Sequence, residues 1–61
     1  MNELKEYCVR FTMLKCNDIY LEITVCHYNA DGAVNVARYV ISETMDIHPD
    51  RLYLESVTLE S

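Results

Sequence analysis

The side chains in this chain able to do chemistry are few: Cys8, Cys16 and Cys26, His27 and His48, and the carboxylates of Asp31 and Glu43 near them in sequence. Three cysteines is an odd number, and none sits in C-x-x-C spacing, so neither a disulfide framework nor a zinc signature is written here. Cys26 and His27 are consecutive, and in a strand consecutive side chains point to opposite faces, which prevents joint ligation of a metal. His27 with Asp31 or Glu43 could move a proton. However, no nucleophile stands beside a base at a diagnostic spacing, and a fold this small leaves little room for a substrate pocket. Gly32 is the only glycine, so no glycine-rich loop is available to cradle a phosphate. The expectation is a protein that is not an enzyme and holds no cofactor or metal. Its cysteines are expected to stay free thiols that pack as small hydrophobes, in a reducing cytoplasm.

Sixty-one residues make one domain, spanning 1–61. A core of that size rarely supplies more than roughly 3–5 kcal/mol, and small domains add a staple. With disulfide and metal set aside, self-association is the staple left. The net charge is −5, from ten acidic and five basic residues. That balance argues against a phosphate backbone as partner, since a basic patch carries such affinity. Glu3, Glu6, Asp46, Asp50, Glu55 and Glu60 read either as a solvated surface or as an acidic patch aimed at a basic groove. No apolar run approaches the ~20 residues of a membrane span. The polar start, Met1-Asn2-Glu3-Leu4-Lys5-Glu6, carries no signal-peptide pattern and reads as a frayed lead-in.

The elements that must position these residues follow from periodicity. Tyr7–Lys15 and Ile19–Tyr28 alternate apolar and polar residues and read as a β-hairpin. Its register has two candidates. A two-residue Asn17-Asp18 turn would set Phe11 beside Thr24 and move an apolar set to the wrong face. A three-residue Cys16-Asn17-Asp18 loop instead pairs Met13 with Leu21, Phe11 with Ile23 and Val9 with Val25. A five-residue loop keeps the same parity. On the other face the preferred register sets Cys8 opposite Cys26, Arg10 opposite Thr24, Thr12 opposite Glu22 and Leu14 opposite Tyr20, with Arg10 and Glu22 as diagonal neighbours.

Asn29 is the expected N-cap of a helix over Ala30–Met45, with Asp31 in the first turn where the dipole favours negative charge. Its apolar face is Ala33, Val34, Ala37, Val40, Ile41, Thr44 and Met45; Asn35, Arg38, Ser42 and Glu43 form the wet side. Gly32 marks a distorted start. Pro49 ends the helix, and Ile47 packs back under the sheet edge. Arg51–Leu59 is the third strand. Its parity changes along its length, so either a bulge near Glu55-Ser56 swaps its faces or a partner covers one of them. A right-handed crossover then gives an α+β, ββαβ fold: a three-stranded antiparallel sheet of order 2-1-3, with one helix packed on one face.

The segment "YLEITVCHYNADGAVNVARYVI" resembles small orphan proteins of phages and mobile elements. Those chains show an apolar strand, a polar cap, an acidic first turn and an Ala-x-x-x-Ala helix. Asn29, Asp31, Ala33 and Ala37 match; Gly32 departs, where an acidic residue is usual. The resemblance implies a genomic setting in which small acidic proteins inhibit host machinery by occupancy, anti-CRISPR proteins among them.

The first expectation is therefore a non-enzymatic inhibitor in the host cytoplasm. It pairs with a second copy of itself through the sheet face the helix leaves open, and it occupies a host protein with a basic groove. It contacts neither nucleic acid nor membrane. Five tyrosines exceed what so small a core can hold, and tyrosine suits half-apolar, half-wet interfaces. The partner-binding candidates are Leu14, Tyr20, Glu22, Tyr28, Tyr53 and Glu55. Two other expectations stand beside this one: a subunit of a larger assembly, and a small-ligand sensor at a dimer interface.

Overall fold

The computed structural model describes residues 3–13 and 16–60, with side chains throughout those ranges except at 16–19. Strands β1 (Lys5–Met13), β2 (Cys16–His27) and β3 (Leu52–Leu59) form one antiparallel sheet of order β2-β1-β3. Helix α1 (Ala30–Met45) packs on one face of it, which is the α+β arrangement expected.

The core lies between α1 and the sheet. Val9 and Phe11 on β1 are fully buried, as are Ala33 and Ala37 on α1, and Tyr7, Ile41 and Leu52 complete the set. Leu21, Ile23, Val25 and Val57 pack against it from the outer strands. The helix can sit this close because two of its three buried residues are alanines. Tyr7 is thus the one tyrosine the core absorbs.

The hairpin keeps the expected faces but not the expected pairing. Phe11 lies opposite Leu21, Val9 opposite Ile23 and Tyr7 opposite Val25, two residues away from the anticipated register. Cys8 consequently faces Thr24, and Cys26 faces Glu6. A shift of two leaves every side chain on its own face, so burial cannot choose between the registers. The polar face can: the observed register sets Arg10 directly against Glu22 and Thr12 against Tyr20. Residues 16–18 are part of β2 and not a turn, and the register breaks between Thr12 and Met13, where Met13 meets Cys16. Lys5 and Glu6, expected to fray, pair with His27 and Cys26, and Glu60 N–H donates to Glu6 O at 2.8 Å.

β3 resolves its ambiguous parity by a bulge. Arg10 pairs with Ser56 and Phe11 with Leu54, which leaves Glu55 as the extra residue. Leu52 and Leu54 before it, and Val57 and Leu59 after it, therefore face the helix side. Arg51 belongs to a 3-10 turn, Pro49–Arg51, and not to the strand.

α1 starts as expected, with the Asn29 side chain accepting from Gly32 N–H at 2.7 Å. The start is regular, so Gly32 does not serve a distortion. Its role is space: a Cβ there would fall within the imidazole of His27, which lies against the first turn. At the other end Asp46 adopts the left-handed conformation (φ 55), and Ile47 N–H donates to Ser42 O at 3.0 Å. Three expected positions on α1 differ. Ser42, placed on the wet side, is half-buried and donates its hydroxyl to Ile47 O at 2.7 Å, which fixes the chain as it leaves the helix. Thr44 and Met45, placed on the apolar face, are exposed, because α1 and β2 leave a cavity between them at that end that nothing fills. Arg38 places its guanidinium over the Phe11 ring, 5.3 Å from the centroid.

Candidate functional site

Among the described residues, no element packs on the sheet face opposite α1. Strand alternation and the observed register order that face into rows. Tyr53, Thr12 and Tyr20 form one row, Ser56, Arg10 and Glu22 the next, and Thr58, Cys8 and Thr24 the third. Central β1 holds the middle residue of each row, so the rows are as rigid as the sheet.

Arg10 organises the centre. Its Nε and Nη2 both donate to Glu22 Oε2, at 2.9 and 2.7 Å, and its guanidinium lies 5.3 Å from the Tyr20 ring centroid. The side chains of this pair are about half exposed, at 45% and 47%, so the interaction is of the surface kind, whose energy is modest. Its larger effect is positional: it holds Tyr20 and Glu22 in fixed orientation on the open face. The Arg10 hydrogen bond, and then its charge, lower the Glu22 carboxyl below its ordinary range. The same partner raises Arg10 further. Partial desolvation first, and then the Glu22 carboxylate, push the Cys8 thiol up, which disfavours the thiolate and makes Cys8 a poor nucleophile.

Of the candidate contact residues, the structure brings three together. Tyr20 is 51% exposed and Tyr53 48% exposed, and they flank Thr12 in one row, with Glu22 in the adjacent row. Tyr28 lies apart, beyond the end of β2, with its ring edge-on to His27 at 5.8 Å. Glu55 is the bulged residue of the β3 edge. Leu14 lies outside the described residues. Sequence reasoning missed Arg10 as the hub of the face, because the anticipated register made Glu22 its diagonal and not its direct partner. A positive residue two places from Cys8 and a negative one two places from Tyr20 were the available signal, and only the pairing sum separates them.

One cavity of about 180 Å³ lies elsewhere, between β2 and the C-terminal half of α1. It is below the ~300–1,000 Å³ of small-molecule sites. No helix among the described residues is long and apolar enough to cross a membrane. No protein-family model, curated protein or solved structure matches this chain.

Proposed function

We propose that this chain is a non-enzymatic binding protein that acts by occupancy, pairing with a second copy through the open sheet face and blocking a host protein with a basic groove. The observation that supports the reading is the Tyr20–Thr12–Tyr53 row beside the Arg10–Glu22 pair, which presents two half-exposed aromatic rings on a rigid strand framework. Aromatic rings carry large contact area at small entropic cost, and a two-fold contact requires a patch complementary to itself. Arg10 and Glu22 side by side provide both signs of charge for such a contact. The acidic balance of the chain fits a target that binds nucleic acid, a nuclease or polymerase for example, since opposite potentials speed encounter and select the partner.

The test is sedimentation of Tyr20→Asp beside Tyr39→Asp, the latter on the exposed side of α1 at 66% exposure. Tyr20→Asp is expected to dissociate the dimer while keeping the helical circular dichroism signal, and Tyr39→Asp to leave it intact. Equal behaviour of the two variants would contradict the assignment of the face.

A second reading is favoured by a separate observation. Leu54 and Leu59 face the helix side of β3 yet remain 45% and 55% exposed. Such residues suit a subunit whose sheet is completed by a larger assembly. That reading expects aggregation of the isolated chain, whereas the occupancy reading expects a discrete, soluble species.

A further inference from the structure

Pairing through the open sheet face puts the two copies of α1 on the outside of the dimer, where a target can reach them. Ala33, Ala37 and Ile41 mark the buried stripe of this helix. Asp31, Asn35, Tyr39 and Glu43 run down the opposite side at four-residue spacing, over about 18 Å. All four are exposed, and so is Asp46, three residues past Glu43. Tyr39 stands in the middle of the row. At 66% it is the most exposed of the large aromatic or aliphatic side chains among the described residues, and the exposed Val36 lies three residues before it. Asp31, Glu43 and Asp46 take part in no ion pair among the described residues. The one basic residue of α1, Arg38, has its guanidinium over the Phe11 ring of the core and not on this row.

We infer that this outward row of α1, centred on Tyr39 and Glu43, is the surface that meets the target, and that its occupant is an arginine-bearing protein surface. The inference rests on the occupancy reading and adds where the target sits and which cation it presents. The carboxylates ask for a cation, and the ring decides which. A guanidinium is planar, stacks on an aromatic face and bonds a carboxylate through two N–H groups, whereas an ammonium is a point charge. The open sheet face already holds this arrangement within the chain: Arg10 donates twice to Glu22 while lying 5.3 Å from the Tyr20 ring centroid. Tyr20 and Glu22 are two apart on a strand, Tyr39 and Glu43 four apart on a helix, and both spacings separate the two residues by about 6–7 Å. On α1 the ring and the carboxylate are present and the guanidinium is left for a partner to supply. A second copy of this row, or a phosphate backbone, would bring like charge against Glu43 and Asp46.

The test titrates the ¹⁵N-labelled protein with blocked octa-arginine and with octa-lysine, which carry equal charge, at low salt. The largest amide shifts are expected between Asn35 and Asp46, with octa-arginine bound about two- to fivefold more tightly than octa-lysine. Tyr39→Ala is expected to remove that preference, and Glu43→Gln to weaken both peptides, with circular dichroism and the mass by light scattering unchanged. Equal affinity for the two peptides in the wild-type protein, shifts centred on Tyr20 and Glu22 or on Glu55 and Glu60, or no binding at about millimolar peptide would overturn the inference. Tyr20→Asp separates it from the pairing claim: the variant is expected to keep the α1 shifts and the arginine preference. A wild-type chain that is monomeric yet keeps both supports this surface and contradicts the pairing, whereas a dimer without the preference contradicts this surface alone.

Discussion

His27 and Gly32 constrain each other closely. The imidazole rests on the first turn of α1 where only a glycine fits, and its Nδ1 is buried without a hydrogen-bond partner. A buried unsatisfied polar atom costs about 1–3 kcal/mol, so the ring stays for its packing and not for its polarity. Helix propensity alone says Gly32→Ala should stabilise by up to about 1 kcal/mol. The clash says otherwise: overpacking costs about 1–3 kcal/mol and should win. Gly32→Ala is therefore expected to lower the urea midpoint in the wild-type background and to raise it in a His27→Ala background. A rise in both would show that the ring simply swings away. The Arg10–Glu22 pair gives a second expectation at this scale. Glu22 titrates lower in the folded protein than in the unfolded chain, so its stabilisation is complete above the unfolded carboxylate pKa. It is lost as pH falls through the folded value. The melting-temperature gap between wild type and Glu22→Gln should close on acidification, and a gap that persists under acid would contradict the pairing.

At the level of the element, the ends of α1 differ in quality. Asn29 caps the N-terminus with a short hydrogen bond, and Asp31 sits in the first turn where the dipole welcomes it. The C-terminus is poorly matched: Asp46 holds the left-handed conformation that glycine adopts freely, and it places negative charge at the negative end of the dipole. Asp46→Gly is expected to raise stability by about 0.5–1 kcal/mol in thermal unfolding. A lower melting temperature would mean that its carboxylate has an unrecognised partner. α1 was readable from sequence at both ends because capping is local chemistry. Strand boundaries and the hairpin register were not. Asn17 and Asp18 favour turns in isolation, yet here they belong to β2, in the stretch between Cys16 and Tyr20 where the register with β1 is irregular. Face assignment survived that error because a two-residue shift conserves parity, whereas the parity change in β3 left two readings, a bulge or a face covered by a partner, and the structure has the bulge.

For the whole molecule, one helix over three strands leaves an open sheet face with Tyr20 and Tyr53 and, on the other side, a small cavity between β2 and the C-terminal half of α1. The first was anticipated from composition and topology, since five tyrosines cannot share so small a core. Which of them would cluster depended on long-range pairing with β3 and could not be read locally: Tyr53 joins Tyr20 across Thr12, whereas Tyr28 falls beyond the strand. The cavity had no sequence signal, because it arises from where α1 lies over the sheet. The central claim, that the open face is a contact surface for a second copy, is tested most directly by multi-angle light scattering at about high-micromolar concentration, well above the Kd of a working dimer. One species of twice the 7.1 kDa chain mass is expected. A monodisperse 7.1 kDa monomer under those conditions would contradict it.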